Sequence, residues 1–241
     1  MAKNREAIIS MMRGAFLDRV KSSFKDNLLS VLLYGSAATE DFIPRVSDVN
    51  VLLILKETDK DQIERFGREN FRVMNRYRIT PLILTRTEFQ NSADVFPMEY
   101  FDIQERNFVL FGEDETKMLK LERKNLRHQL EERLRGCVNS LRQMIVASRG
   151  RKRYLRYNLN ILFGSFKSLF RGLLRLRGIG SIPHQWEEIV KLLHGNFGVD
   201  ANPFMEILKL RSGEKIDPVK LSRELLNSLE ELIGVVDKME T

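Results

Sequence analysis

An apolar run, Leu28 to Tyr34, stops at Gly35-Ser36, and after eleven intervening residues Asp48 opens a second run, Val49 to Leu55. Each run is bounded by turn or polar residues and predicts a buried strand. Side chains alternate faces along a strand, so Asp48 and Asn50 share one face while Val49 and Val51 point into the core. The surrounding segments supply cover for such a sheet. Ile8, Ile9, Met12, Ala15, Phe16 and Val20 recur at helical spacing within residues 5–24, and Lys60 to Arg76 is polar and helix-forming. Ile79 to Leu84 reads as a third strand, with Pro81 suggesting an edge or a strand start. Phe108 to Phe111 reads as a short fourth, ended by Gly112. Pattern alone does not separate parallel from antiparallel neighbours.

The second half changes character. From about Glu115 to Ala147 the pattern is continuously helical, without proline, until Ser148-Arg149-Gly150 interrupts it. A second long helix, about Tyr154 to Arg177, carries the stripe Leu155, Leu159, Leu162, Phe163, Phe166, Phe170, Leu173 and Leu174. Lys167, Arg171 and Arg175 form a row beside that stripe. Gln185–Leu193, Pro203–Leu210 and Pro218–Met239 read as three more helices, and Trp186 and the phenylalanines as core. The expectation is an α+β chain: a sheet flanked by helices over residues 1–114, then an all-α helical bundle over residues 115–241. No internal repeat or low-complexity linker separates them.

Composition narrows the setting. A chain of 241 residues with 43% apolar side chains can bury a core without staples, and the lone Cys137 rules out an intramolecular disulfide framework. No apolar run approaches the roughly 20 residues of a membrane span, and Lys3, Arg5, Glu6, Arg13 and Asp18 interrupt any secretory leader. A soluble, cytoplasmic protein is expected. The net charge of +7 is uneven: residues 1–120 hold 18 Lys+Arg against 19 Asp+Glu, residues 121–241 hold 22 against 14. Between Arg123 and Arg177, 15 basic residues face only Glu131 and Glu132. That excess would attract a polyanion, unless acidic partners come from elsewhere in the fold. His128 and His194 have no ligands at metal spacing, so zinc is not expected.

The chemistry concentrates at the two strands. Gly35 would let the backbone approach a phosphate, and Ser36 could offer its hydroxyl and N–H to it. Asp48 would hold a divalent metal bridging phosphate oxygens. Asp48 as a mere cap or turn residue is the plainer alternative.

Tyr34-Gly35-Ser36, the spacer and Asp48 resemble the signature of the nucleotidyltransferase superfamily that includes DNA polymerase beta and the kanamycin nucleotidyltransferase. Phe96-Pro97-Met98-Glu99-Tyr100-Phe101-Asp102-Ile103 and Val109-Leu110-Phe111-Gly112-Glu113-Asp114 resemble a segment of its small prokaryotic minimal-type members, which place a helical bundle after the catalytic domain. The resemblance implies a nucleotidyltransferase-like mixed sheet and metal-dependent transfer of a nucleoside monophosphate from a nucleoside triphosphate (NTP). The acceptor would be a hydroxyl on a small molecule, protein or RNA. Gly35 and Ser36 would bind the nucleotide, Asp48 and Asn50 would stand at catalytic positions, and Asp48 would ligate Mg2+ or Mn2+. Arg153 or Arg156 would help clamp phosphates.

One departure matters. Asn50 stands where the family has a second carboxylate, and Ile79 to Thr85 contains no third. An amide ligates through its carbonyl but adds no negative charge. The competing expectation is therefore a catalytically degenerate protein that keeps the fold for nucleotide sensing or partner binding. Glu99 and Asp102, three apart on an expected helix, read as a capping and salt-bridging pair, or as carboxylates entering the site from outside the signature. Arg177 and His184 echo an Arg-spacer-His ribonuclease motif, but Gly178, Gly180 and Pro183 make that stretch a loop.

Overall fold

Helix and strand alternate along the first half in the expected order. The computed structural model describes residues 5–39, 42, 47–180, 182, 183 and 185–239. The chain divides into one compact unit ending at Leu121 and another beginning at Glu122. The first opens with α1 (Arg5–Met11), a π turn (Met12–Phe16) and α2 (Leu17–Phe24). Helical spacing alone suggests one uninterrupted helix here, but Gly14 leaves helical geometry at φ −99° and ψ −105°. The wider turn shifts the helical phase, and Met12, Phe16, Leu17, Val20 and Phe24 all enter one core cluster.

Four strands, β1 (Leu28–Tyr34), β2 (Val49–Leu55), β3 (Ile79–Thr85) and β4 (Asn107–Phe111), form one sheet in the order β3-β2-β1-β4. β1 is antiparallel to β2 and β4, whereas β2 and β3 are parallel. A parallel pair needs a crossover, and α3 (Lys60–Tyr77) provides it, capped by Asp59, whose carboxylate accepts from the N–H groups of Asp61 and Gln62. Pro81 sits opposite Val51 on the edge strand, where a missing N–H costs least. Val31, Leu33, Val49, Val51 and Leu53 face the cluster built with α1 to α3. Leu32, Leu52 and Ile54 face the opposite cluster, closed by Phe89 of α4 (Arg86–Asn91) and by Tyr100 and Ile103 of α5 (Pro97–Glu105).

The start of α4 is a capping box. The Thr85 N–H donates to the Glu88 carboxylate at 2.7 Å, and the Thr85 hydroxyl accepts from the Glu88 N–H. The backbone hydrogen bond from Thr85, then the hydroxyl, hold the Glu88 carboxyl below its ordinary range. A carboxyl depressed on folding contributes stability above its unfolded pKa and loses it as pH falls through the folded value. Glu88→Ala should therefore cost up to about 1 kcal/mol near neutral pH and progressively less in acid, read as a melting-temperature difference across a pH series.

Residues 115–121 correct the expected helix from Glu115. They form a 3-10 turn (Glu115–Met118) and an extended run, and helix α6 begins only at Arg123. Asp114 accepts from the Thr116 N–H at 3.1 Å and its hydroxyl at 2.6 Å. The buried Glu115 carboxylate receives two nitrogens of Arg86, at 2.6 and 3.0 Å. Leu119 and Leu121 pack into the core beside α4 and α5. Apolar residues that mimic a helical stripe thus belong to the first unit.

The second unit is helical: α6 (Arg123–Ser148), α7 (Lys152–Leu176), α8 (Trp186–Phe197), α9 (Asn202–Arg211) and α10 (Pro218–Val236). Phe163, Phe166, Phe170, Trp186 and Phe204 stack and cross at centroid separations of 4.5 to 6.4 Å. The Trp186 indole N–H donates to the Phe204 carbonyl at 2.9 Å. Much of the basic excess is committed inside this unit. Arg123, Arg127, Arg151, Arg156 and Arg171 donate to backbone carbonyls, a task suited to a forked guanidinium. Arg135, Arg142 and Lys152 pair with Asp237, Glu230 and Asp217, in and beside α10. Among the described residues, no helix is long and apolar enough to cross a membrane.

Candidate functional site

The strand directions bring the end of β1 and the starts of β2, β3 and β4 to one edge of the sheet. Tyr34 pairs with Asn50 on one side and Asn107 on the other, and Asn50 pairs with Thr80. Asn107, Tyr34, Asn50 and Thr80 therefore form one row across all four strands, on the face that α4 and α5 cover. The row holds no carboxylate. Burial, then the charge of Glu99, push the Tyr34 hydroxyl above its ordinary value, so it stays protonated at neutral pH. The Asn107 amide donates to the Ile103 carbonyl and the Thr116 hydroxyl, tying α5 and the 3-10 turn to the sheet.

Beyond Tyr34 the chain makes one 3-10 turn, Gly35–Ala38. Gly35 has φ +70°, and a Cβ there would lie 3.2 Å from the Asn50 amide nitrogen. Gly35 and Asn50 are thus brought together, and the glycine is required by its backbone. The Gly35 N–H is already spent on the Arg106 carbonyl at 3.1 Å. Ser36 is half-buried in the turn, and its carbonyl accepts from the Thr39 N–H. No helix starts at Ala37, so no helix dipole points at this turn. Arg5 of α1 donates from Nη2 to the Ala38 carbonyl at 3.0 Å, and its Nε is buried without a partner among the described residues.

Asp48 is half exposed and not alone. Arg78 Nε donates to Asp48 Oδ1 at 2.9 Å and Nη2 lies 2.9 Å from the same oxygen as an ion pair, with 52% of each side chain exposed. Arg78 is the left-handed residue (φ 55°, ψ 42°) between α3 and β3, and its carbonyl accepts from the Val49 N–H at 2.9 Å. An ion pair this exposed adds about 0–1 kcal/mol to stability.

These residues do not fit the metal centre that the signature implies. Mg2+ demands about six oxygens in octahedral array, anchored by carboxylates or phosphates. Here one carboxylate is already neutralised by a guanidinium, Asn50 and Thr80 are neutral, and Arg78 would repel a cation at Asp48. Among the described residues no group of three or more His, Cys, Asp or Glu is placed to hold a metal ion.

Of the remaining candidates, Glu99 stands near the row. Glu99 lies on α5, where its charge acts on Tyr34, and Asp102 shares that helix. In the second unit, Arg156 donates to the carbonyls of Leu210, Glu214 and Ile216, and Arg153 is exposed on α7. His194 sits 2.8 Å from the Val199 carbonyl through Nδ1. His184 lies outside the described residues. Burial pushes the Cys137 thiol up, away from nucleophilic use. Sequence reading missed Arg5, Arg78 and Thr80. Thr80 stands in the strand searched for a third carboxylate, but only the register places it beside Asn50.

No protein-family model matches the chain, and no curated protein is similar to it in sequence. Among solved structures, the spectinomycin adenyltransferase AAD(9) from Enterococcus faecialis, crystallised with ATP and spectinomycin, is similar with a TM-score of 0.53. The similarity covers 92% of this chain and 98% of that one at 15% sequence identity. The chain has the nucleotidyltransferase fold: a mixed four-stranded sheet with flanking helices, then a helical C-terminal part.

Proposed function

We propose that this chain is a nucleotide-binding protein that keeps the nucleotidyltransferase fold without transferring nucleotides. One observation carries the reading: the strand row beside the Gly35–Ala38 turn is neutral, and Asp48 at its margin is held by Arg78. Nucleotidyl transfer needs charge neutralised on the phosphoryl oxygens and an acceptor hydroxyl activated for in-line attack. A neutral row supplies neither a metal platform nor a base. The Gly35-Ser36 turn, the Asn50 amide, which has no hydrogen-bond partner among the described residues, and the cationic Arg5 and Arg78 remain suited to a triphosphate.

A second reading keeps catalysis. Asp48 alone would hold Mg2+ or Mn2+ on an NTP, Gly35 and Ser36 would bind its phosphates, and a hydroxyl on a small molecule, protein or RNA would accept the monophosphate. The half-exposed state of Asp48 favours it, since an exposed ion pair opens easily. Labelled ATP, GTP, CTP and UTP, with Mg2+ or Mn2+ and an acceptor pool that includes spectinomycin, separate the two. No incorporation above background is expected. Incorporation that Asp48→Ala abolishes would establish the enzyme instead.

A further inference from the structure

The nucleotide reading leaves open what neutralises the polyphosphate, and the following inference rests on that reading. We infer that Arg78, assisted by Arg5 at the Gly35–Ala38 turn, takes the place of the metal ion, so that the site binds a nucleoside triphosphate without any divalent cation. Arg78 is anchored at the start of β3 by the hydrogen bond from the Val49 N–H to its carbonyl. Its guanidinium therefore works from a fixed base at the edge that also carries Asn50 and Gly35. Nε and Nη2 converge on a single oxygen of Asp48, short of the two-oxygen fork that such pairs form at their strongest. A triphosphate offers that fork, with more charge than one carboxylate.

Arg5 supplies an independent observation. Its Nη2 is held by the Ala38 carbonyl while its Nε is buried without an acceptor among the described residues. A buried donor left unpaired is costly, and an anion lodged at the turn would satisfy it. Asp48 then acts as a competitor: it holds Arg78 when the site is empty and releases it to phosphate.

Calorimetric titration of the full chain with ATP, in EDTA and in Mg2+, tests this. Affinity in EDTA should lie within about threefold of that in Mg2+, and Arg78→Ala should weaken it about tenfold or more, the value of a charge-assisted hydrogen bond. Asp48→Asn should tighten binding, and Arg5→Ala should weaken it, with circular dichroism confirming that each variant is folded. Binding that requires Mg2+ and is lost in Asp48→Asn, or an unchanged affinity for Arg78→Ala in EDTA, overturns the role of Arg78 and leaves the nucleotide reading standing. A folded wild-type chain that binds no ATP, GTP, CTP or UTP under either condition overturns both.

Discussion

Gly112→Ala should destabilise the first unit by about 3 kcal/mol or more, the sum of a left-handed backbone cost and overpacking. Gly112 ends β4 at φ +74°, and a Cβ there would lie 2.1 Å from the Leu29 carbonyl oxygen. That neighbour is backbone of the paired strand, so no side chain can turn away to make room. The region is tightly tied: the buried Ser30 hydroxyl donates to the Glu113 carbonyl at 2.6 Å and lies 3.0 Å from that of Phe111. Equilibrium urea unfolding measures the loss. Gly136→Ala in α6 and Gly164→Ala in α7 are the matched controls, since a Cβ at either meets nothing within 4 Å. Helix propensity predicts that each gains up to about 1 kcal/mol. An unchanged midpoint for Gly112→Ala would mean that β4 does not pair with β1 as described.

The largest functional effect should come from rebuilding the row. The triple variant Asn50→Asp, Thr80→Asp, Arg78→Ala should bind Mn2+ at least about a hundredfold more tightly than the wild-type chain, because affinity for such cations follows the number of charged oxygen ligands. Free Mn2+ measured by electron paramagnetic resonance reads this directly. Asn50→Asp alone, with Arg78 in place, should give little of the gain, since the guanidinium still neutralises Asp48. A triple variant that folds and binds Mn2+ no better than wild type would show that the neutral row is not what keeps metal out.

The contrast between Asn50 and Thr80 shows how far the sequence reaches into the site. Asn50 follows Asp48 by two residues, so strand alternation alone puts them on one face, while the structure adds that its amide lies beside Gly35. Thr80 is thirty residues further on, and nothing local says which residue of β3 stands beside Asn50. The parallel register decides that. Arg78 is harder still. It falls between the expected helix ending at Arg76 and the expected strand from Ile79, and becomes a partner of Asp48 only because α3 carries the chain over the sheet and returns it alongside β2.

Residues 115–121 show the same limit in the fold. Their apolar spacing suits a helix, yet Leu119 and Leu121 are taken up by a core made by α4, α5 and the sheet, and Asp114 and Glu115 are bound locally and by Arg86. Tertiary packing overrides a weak helical preference there. The strands and long helices were legible because their burial follows a period that repeats within a few residues.

Local periodicity and turn chemistry, written residue by residue, were enough to determine strands followed by a helical bundle, and a Gly-Ser turn at the end of the first strand. Only the tertiary structure decided the strand order, the neutral row and the pairing of Asp48 with Arg78. Those depend on contacts between residues well separated along the chain, such as Asp48 with Arg78 and Tyr34 with Asn107, whose encounter is set by the chain's path through space rather than by any repeat along it.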